Sequence, residues 1–385
     1  TPLYSSAASD VYKRQAPMDI IGVITEYNPF HNGHIYHINK IKELYPNSII
    51  ILALNGYFLE RGEISIMTKE EKTKMALDYG INLVVEIPFI YGSNSADTFA
   101  ECGVRILDSL GVNKIVFGSE SNDVSLLTEI AKNQLNDNFN KLLKTELKNG
   151  TNYPTALSKA LNTSVSSPND LLGISYIKAI IKNNFNITAV TIKRTNDFHD
   201  KVSVETIVSA SNIREKIKNN EDISKYTPVS NFVRINEDLL FNLLKVKILT
   251  DKDLSKYLTV DEGIEYKLKK EIINAVDIND LVLKVKSKRY TYNRIRRMLI
   301  HILIGLTKED KRNYSLNYIK VLGFDKTGKD YLKTVKSDLI IQRKISDTDI
   351  AQKYELTASL IYDMLTDSNT YKFETSNKPI IKTSA

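Results

Sequence analysis

Short, nearly continuous runs of β-branched apolar residues, separated by amphipathic stretches, set the strongest limit on how this chain can fold. The runs are Ile20–Thr25, Ile49–Leu54, Leu83–Ile87, Lys114–Phe117 and Ile187–Ile192, each four to six residues long. A strand with one wet face alternates apolar and polar residues. These runs do not alternate, which is how strands of a parallel sheet covered on both faces read. Between them, Ile35–Leu44, Lys69–Tyr79 and Ala96–Leu110 carry a helical period, and the first lines up Ile35, Ile38 and Ile41 in one narrow stripe. Strand, helix, strand in repetition predicts a doubly wound α/β sheet.

A longer helical stretch, about 123–184, separates the fourth and fifth runs; Pro154 and Pro168 within it are expected at helix starts. Beyond Lys218 the strand signals fade. Leu239–Leu249, Glu262–Ala275, Tyr292–Leu306 and Tyr314–Leu322 are predicted as helices. The expected organisation is therefore an α/β domain over residues 18–218 and a mostly α-helical domain over 219–385. Thr1–Pro17 is polar, aperiodic and precedes the first methionine, Met18, so it reads as a disordered, non-native leader outside the fold.

Composition narrows the function classes. Hydrophobic residues make up 42% and charged residues 26%, which excludes fibrous and disordered architectures. No apolar run is long enough to cross a bilayer. The single cysteine, Cys102, permits neither an internal disulfide nor a Cys-x-x-Cys knuckle. A cytoplasmic protein without a membrane partner is expected. The net charge of +7 is modest and matters only if the basic residues cluster.

Three of the five histidines fall within seven residues, in Glu26-Tyr27-Asn28-Pro29-Phe30-His31-Asn32-Gly33-His34-Ile35-Tyr36-His37. Pro29 ends the strand, Gly33 allows close backbone approach, and a helix follows. Backbone N–H groups and imidazoles then meet at a helix N-terminus, where an anion is favoured. Imidazoles can donate to a phosphate whose charge grows during displacement at phosphorus. A zinc site from His31, His34 and His37 is disfavoured, because positions three and six apart on a helix splay around its axis, and no metal is assigned. A third reading makes the histidines ordinary polar residues of a helix start.

A second helix start lies in Val208-Ser209-Ala210-Ser211-Asn212-Ile213-Arg214, with Ser211 expected as N-cap and Arg214 one turn on. Ligands of open α/β sheets bind outside the carboxyl ends of the strands. Gly118 after the fourth run, Arg194 after the fifth and Asn169 at a helix start lie where that rule points. Taken singly, they read more readily as a turn glycine, a surface arginine and a helix cap.

One basic run stands out in the second half. From Lys284 to Arg297 there are seven basic residues and no acidic one, with Tyr290 and Tyr292 interleaved. Lys286, Lys288, Arg289, Arg294, Arg296 and Arg297 could neutralise phosphates, while Tyr290 could stack on an unpaired base. Thr291 offers an N-cap, and Ile295, Met298, Leu299 and Ile302 a buried face. The bland alternative is a solvated helix face.

His31-Asn32-Gly33-His34 resembles the H-x-G-H signature of the nucleotidylyltransferase superfamily, and the string from Glu26 to His37 resembles the tRNA(Met) cytidine acetate ligase family. Phe58-Leu59-Glu60-Arg61-Gly62-Glu63, Thr73-Lys74-Met75-Ala76-Leu77, Phe117-Gly118-Ser119-Glu120 and Pro168-Asn169-Asp170-Leu171-Leu172-Gly173 are similar to that family too. The resemblance implies a Rossmann-like catalytic domain followed by a helical tRNA-binding domain. It implies ATP binding by Ile24, Thr25, Glu26, Tyr27, Asn28, Pro29, Phe30, His31, Asn32, Gly33, His34, Ile35, Tyr36 and His37, together with Gly118, Asn169 and Arg194. Asn55-Gly56-Tyr57 and Asn212 depart from the family pattern at the pocket rim.

The activity so implied is a ligase acting in two steps. Acetate attacks the α-phosphorus of ATP, giving acetyl-adenylate and pyrophosphate; the N4 amine of the wobble cytidine of elongator tRNA(Met) then takes the acetyl group, giving N4-acetylcytidine and AMP. His31, His34, Ser211 and Arg214 are the implied catalytic residues, Mg²⁺ accompanies ATP, and tRNA rather than DNA is the partner. A small-molecule adenylyltransferase explains the histidines equally but leaves the basic run without a role. An RNA-binding protein with a vestigial nucleotide fold explains the run but not two phosphate elements.

Overall fold

The computed structural model describes residues 18–153, 155–156, 165–194 and 206–383; the leader reading of Thr1–Pro17 and the placement of Pro154 lie outside them. The chain begins β1 (Ile20–Thr25), α1 (Asn32–Leu44), β2 (Ile49–Asn55), α2 (Lys69–Asp78), β3 (Leu83–Ile87), α3 (Phe89–Gly92), α4 (Ala96–Ser109) and β4 (Lys114–Ser119). It continues through α5 (Val124–Gln134), α6 (Asp137–Lys148), α7 (Pro168–Lys182), β5 (Thr188–Lys193) and α8 (Ala210–Lys218). The five expected strands are all present. They form the parallel order β5-β4-β1-β2-β3, with β1 pairing β2 on one side and β4 on the other.

The continuous apolar runs have the burial they predicted. Every residue of β2 and β3 is buried, whereas edge strand β5 is largely half-exposed. Helices press close on the sheet where side chains are missing. A Cβ at Gly22 of β1 would lie 2.7 Å from Leu107 of α4, and one at Gly173 of α7 would lie 2.3 Å from the Phe117 ring of β4. After β3 the chain crosses back to β4, so the strand order reverses beside β1. The crevice this creates opens at the carboxyl ends of β1 and β4.

The second half contains α9 (Glu237–Thr250), α10 (Ile264–Glu271), α11 (Ile278–Val285), α12 (Tyr292–Ile304) and α13 (Lys308–Asn313). It then returns to the sheet with β6 (Tyr318–Phe324), α14 (Lys326–Leu332), β7 (Ile340–Gln342), α15 (Ile350–Thr366), α16 (Thr370–Thr375) and β8 (Ile380–Ile381). Tyr314–Leu322, expected as a helix, is thus corrected to strand over most of its length. β6 is buried along all seven residues and pairs antiparallel with β3. A short apolar run does not reveal its period, and buried Lys320 gave it a false polar face. Residues 219–385 therefore contribute three strands to the sheet as well as helices.

The helical core gathers Leu240, Leu244, Leu281, Ile295, Met298 and Leu299 with Tyr57, Phe58, Ile64 and Phe89 from the first half. Each such side chain, fully buried, contributes about 1.5–3 kcal/mol, so the two halves share one apolar seam. Beside it sits a buried cluster of charges. Lys69 Nζ of α2 lies 2.6 Å from Glu86 of β3, 2.6 Å from Glu355 of α15 and 2.9 Å from Glu374 of α16. Glu374 also meets Lys320 of β6 at 2.5 Å and accepts from the Tyr57 hydroxyl at 2.7 Å. Two lysines face three carboxyls, so one carboxyl is driven toward its neutral form. Burial, reinforced by the charge of Glu355, pushes Glu86 up to about 8. Burial acts on Glu374 in the same sense but is outweighed by Lys320 and Lys69, which bring it to about 2.

Candidate active site

The H-x-G-H turn is organised by its own imidazoles. His31 is the N-cap of α1, in extended backbone, and its Nδ1 accepts from Gly33 N at 3.0 Å. His34 Nδ1 accepts in return from His31 N at 3.1 Å, closing a reciprocal capping box built from two histidines. Gly33 is required here, since a Cβ would lie 2.7 Å from the His31 ring. The sequence placed the helix start at Ile35; these caps draw it back to Asn32.

The caps also fix the chemistry. Burial, reinforced by the positive charge of Arg194, holds His31 down at about 4. Burial, with His31, Arg194 and His37 as neighbours, holds His34 well below the usual histidine range. Both rings are therefore neutral near pH 7. A neutral imidazole whose Nδ1 accepts must carry its proton on Nε2, so each ring keeps one N–H donor. Their centroids are 3.9 Å apart, which makes the two donors neighbours.

Much of the string from Ile24 to His37 supports these rings. Ile24 is in the sheet core, and Ile35 and Tyr36 pack beneath the turn. The His34 ring lies 4.6 Å from Tyr27 and 5.7 Å from Phe30. Tyr27 is buried in left-handed backbone, with φ of 50°, and the Asn28–Pro29 peptide is cis. Phe30 O accepts from Thr227 Oγ1 at 2.6 Å, and Asn32 Nδ2 donates to Thr206 O and Lys225 O. Thr25 ends β1, and Glu26 accepts from both Asn55 Nδ2 and Glu60 N at 2.8 Å. Asn55, the departure noted at the rim, thereby joins the end of β2 to that of β1. His37 is held at about 4 by burial and Arg194, and its Nε2 has no partner among the described residues.

The second helix start lies against the first. Besides the Thr206–Asn32 bond, an Ile207 methyl comes within 3.5 Å of the Cβ position at Gly33. The cap of α8, however, is Ser209 and not Ser211: Ser209 is extended, and its hydroxyl accepts from Asn212 N at 3.1 Å. An N-cap oxygen reaches the N–H three residues on; for Ser211 that would be the N–H of Arg214, the fifth of the helix and so past the four that lack a partner within it. Ser211 sits in the first turn with its hydroxyl 3.1 Å from that of Ser209. Arg214 does reach the first loop, donating to Asn28 O at 2.7 Å and pairing with Glu63 at 3.0 Å.

Gly118, Asn169 and Arg194 form one group. The Arg194 stem crosses Gly118, within 3.3 Å of where a Cβ would be, and Arg194 N donates to Ser119 O. Asn169 donates from N and Nδ2 to Glu120, which also accepts from Asp170 N and so caps α7. The sequence reading passed over Glu120, Glu63 and Ser209. The two glutamates each follow a glycine within a residue or two at a strand or loop end, and Ser209 stands three residues before Asn212; these spacings were the available signals.

The basic run divides in two. Lys286 and Lys288 are exposed. Arg289 pairs with Glu262 at 2.7 Å. Tyr290 is corrected: it is only 4% exposed, its hydroxyl donates to Asp261 O, and Arg294 covers its ring, so it cannot stack on a base. Thr291 is the N-cap of α12, as expected. Arg296 packs its backbone on Gly62, and Arg297 is turned inward, 3.8 Å from Glu60. Burial, only partly offset by Arg297, lifts the Glu60 carboxyl to about 7.

Comparison with known proteins gives a consistent pattern. Residues 18–378 match the family described as HIGH Nucleotidyl Transferase. The tRNA(Met) cytidine acetate ligase of Mycoplasma mobile is 41% identical over 298 residues, covering 75% of this chain and 99% of that protein. The ligase of the same name from Caldicellulosiruptor saccharolyticus is 39% identical over 341 residues, covering 83% and 85%. Among solved structures, Thermotoga maritima TmcAL bound with alpha-thio ATP superposes with a TM-score of 0.79 at 26% identity, covering 94% of this chain and 99% of that one. The apo form of the same protein gives 0.82 at 27%.

Proposed function

The chain belongs to the HIGH nucleotidyl transferases and, within them, to the tRNA(Met) cytidine acetate ligase family, and from that premise we propose that it activates acetate with ATP and transfers the acetyl group to tRNA. The observation that carries this reading is the pair of capped imidazoles. His31 and His34 each spend Nδ1 on the backbone and keep Nε2–H for a phosphate. Neutral donors suit the step, because they stabilise charge growing on the α-phosphate without binding the ground state as tightly as cations would.

In the first step an acetate oxygen attacks the α-phosphorus and pyrophosphate leaves. Ser211 and Arg214 hold phosphates from the α8 side, and Gly118 of β4, Arg194 after β5 and Asn169 at the start of α7 line the nucleotide. In the second step the N4 amine of the wobble cytidine of elongator tRNA(Met) attacks the acetyl carbon. The C–O bond to AMP breaks, the amine proton is lost, and N4-acetylcytidine forms. No described group of three or more His, Cys, Asp or Glu is arranged to hold a metal ion. Mg²⁺ accompanying ATP would offset phosphate charge, held mainly by the triphosphate and water.

Lys286 and Lys288, together with Arg289, Arg294 and Arg296, are the proposed tRNA contact. No helix among the described residues is long and apolar enough to cross a membrane; we place the reaction in the cytoplasm. The test is incubation of bulk bacterial tRNA with labelled acetate, ATP and Mg²⁺, followed by nucleoside analysis. Label in N4-acetylcytidine that disappears without ATP is the expected result. Intact pyrophosphate exchange without that label would redirect the search to another acid or acceptor.

A further inference from the structure

The Arg214 guanidinium does not project freely into the cleft. One nitrogen donates to Asn28 O at 2.7 Å, and the other meets Glu63 Oε2 at 3.0 Å. Asn28 Nδ2 approaches the same carboxylate oxygen at 3.4 Å, while Asn28 Oδ1 accepts from Ile66 N at 2.9 Å. The segment bearing Glu63 is itself pinned. Leu59 N donates to Glu63 O, Gly62 N donates to Leu59 O, and Glu60 N is held by Glu26 at the end of β1. A half-exposed carboxylate on a pinned backbone thus links the loop after β1 to the helix that supplies the second phosphate element.

Two bonds in different directions fix the plane of a guanidinium, and Arg214 has five N–H donors to distribute. A carboxylate beside a triphosphate site carries the wrong charge for affinity: it repels the ligand and neutralises part of the cation meant to attract it. Its value must then lie in geometry. An interaction that is correctly aimed only as charge builds on the phosphate raises turnover without tightening substrate binding.

We propose that Glu63 is a positioning residue for acetate activation, aiming Arg214 at the phosphates at some expense in ATP affinity. This rests on the acetate-activation reading above. It fixes the sign of an unusual effect: removing Glu63 frees the whole Arg214 charge but lets its plane wander. Glu63→Ala lowers kcat for acetate-dependent exchange of labelled pyrophosphate into ATP about 10- to 100-fold, while KM for ATP stays the same or falls. A merely structural glutamate would show the opposite, with KM raised and kcat little changed.

The experiment measures that exchange for wild type, Glu63→Ala, Glu63→Gln, Arg214→Ala and the double Glu63→Ala/Arg214→Ala variant, with thermal melting of each. Glu63→Gln keeps an acceptor oxygen for Arg214 and should retain more turnover than Glu63→Ala. It also carries the test if the alanine variant melts early. The double variant should be no slower than Arg214→Ala, because Glu63 acts through that arginine. Exchange in the wild type with unchanged kcat or raised KM in the Glu63 variants, or losses that multiply in the double variant, would overturn the role of Glu63 alone. No acetate-dependent exchange in the wild type would remove the acetate reading, and this role with it.

Discussion

The carbonyl carbon of Arg296 occupies the space a side chain at Gly62 would need: a Cβ there would lie 2.4 Å from it, and the Arg297 nitrogen 2.5 Å. Gly62 also has φ of 76°, in the left-handed region. The loop carrying Glu60 and Glu63 therefore meets helix α12 backbone to backbone. Gly62→Ala should cost about 1–2 kcal/mol from the left-handed backbone alone, and more from parting the two surfaces. Urea denaturation measures this, and an unchanged midpoint would mean the contact is dispensable.

His34→Ala should lower acetate-dependent pyrophosphate exchange about 100- to 1,000-fold, the usual scale for removing one donor to a developing oxyanion. His31→Ala removes a donor and a helix cap together, adding about 1 kcal/mol of lost stability. His31→Asn restores a capping side chain, so it should recover the stability and not the exchange rate. Recovery of both would place His31 outside the chemistry.

The histidine pair also makes stability depend on pH. His31 lies near 4 in the fold against 6.5 unfolded, so between those values the unfolded chain binds the proton that the fold refuses. Its contribution is complete above about 6.5 and is lost as pH falls toward 4, at about 1.4 kcal/mol per pH unit. His34 acts in the same sense. Melting temperatures recorded from pH 7 to pH 5 should fall less steeply in His31→Asn than in the wild type.

Glu86 acts in the opposite sense. Its folded value of about 8 lies above the unfolded 4.5, so between those values the fold holds a proton that the unfolded chain has released; the stabilisation is complete below about 4.5 and is lost as pH rises to 8. Glu86→Gln mimics the protonated form without having to take up a proton, so it should remove that fall and gain on the wild type from pH 6 upward, most at pH 8 and above. Lys69→Met strands buried carboxylates and should cost about 3–5 kcal/mol. Denaturant melts at pH 6 and pH 9 separate the two variants.

Lys286→Ala with Lys288→Ala should raise KM for tRNA, reduce the salt dependence of transfer and leave pyrophosphate exchange intact. Arg297→Ala should not behave so cleanly. It uncovers the Glu60 carboxyl beside Glu26, so both exchange and transfer should fall. Loss of exchange in the lysine pair would join the exposed lysines to the ATP site.

What could be read from the sequence was whatever rests on local pattern. The five parallel strands followed from unbroken apolar runs, and a turn into a helix after β1 from Pro29 and Gly33. What depends on distant partners was hidden. Lys320 disguised β6 because nothing nearby in sequence announces Glu374, 54 residues on, which neutralises it. Tyr290 read as a stacking surface because its burial is set by the helical core. Glu63 gave no sign of meeting Arg214, and Ser211 was taken as the cap although Ser209, two residues earlier, holds that place.

The antiparallel pairing of β6 on β3 has a consequence for how the chain is made. Until residues 318–324 emerge from the ribosome, β3 has an open row of amides and carbonyls on one side. More than 200 residues separate the two strands, so this exposed edge persists through a long interval of synthesis. A fragment ended near residue 218 would keep it permanently and should self-associate through it. The first half of the chain is thus protected from aggregation by a strand that the second half delivers late.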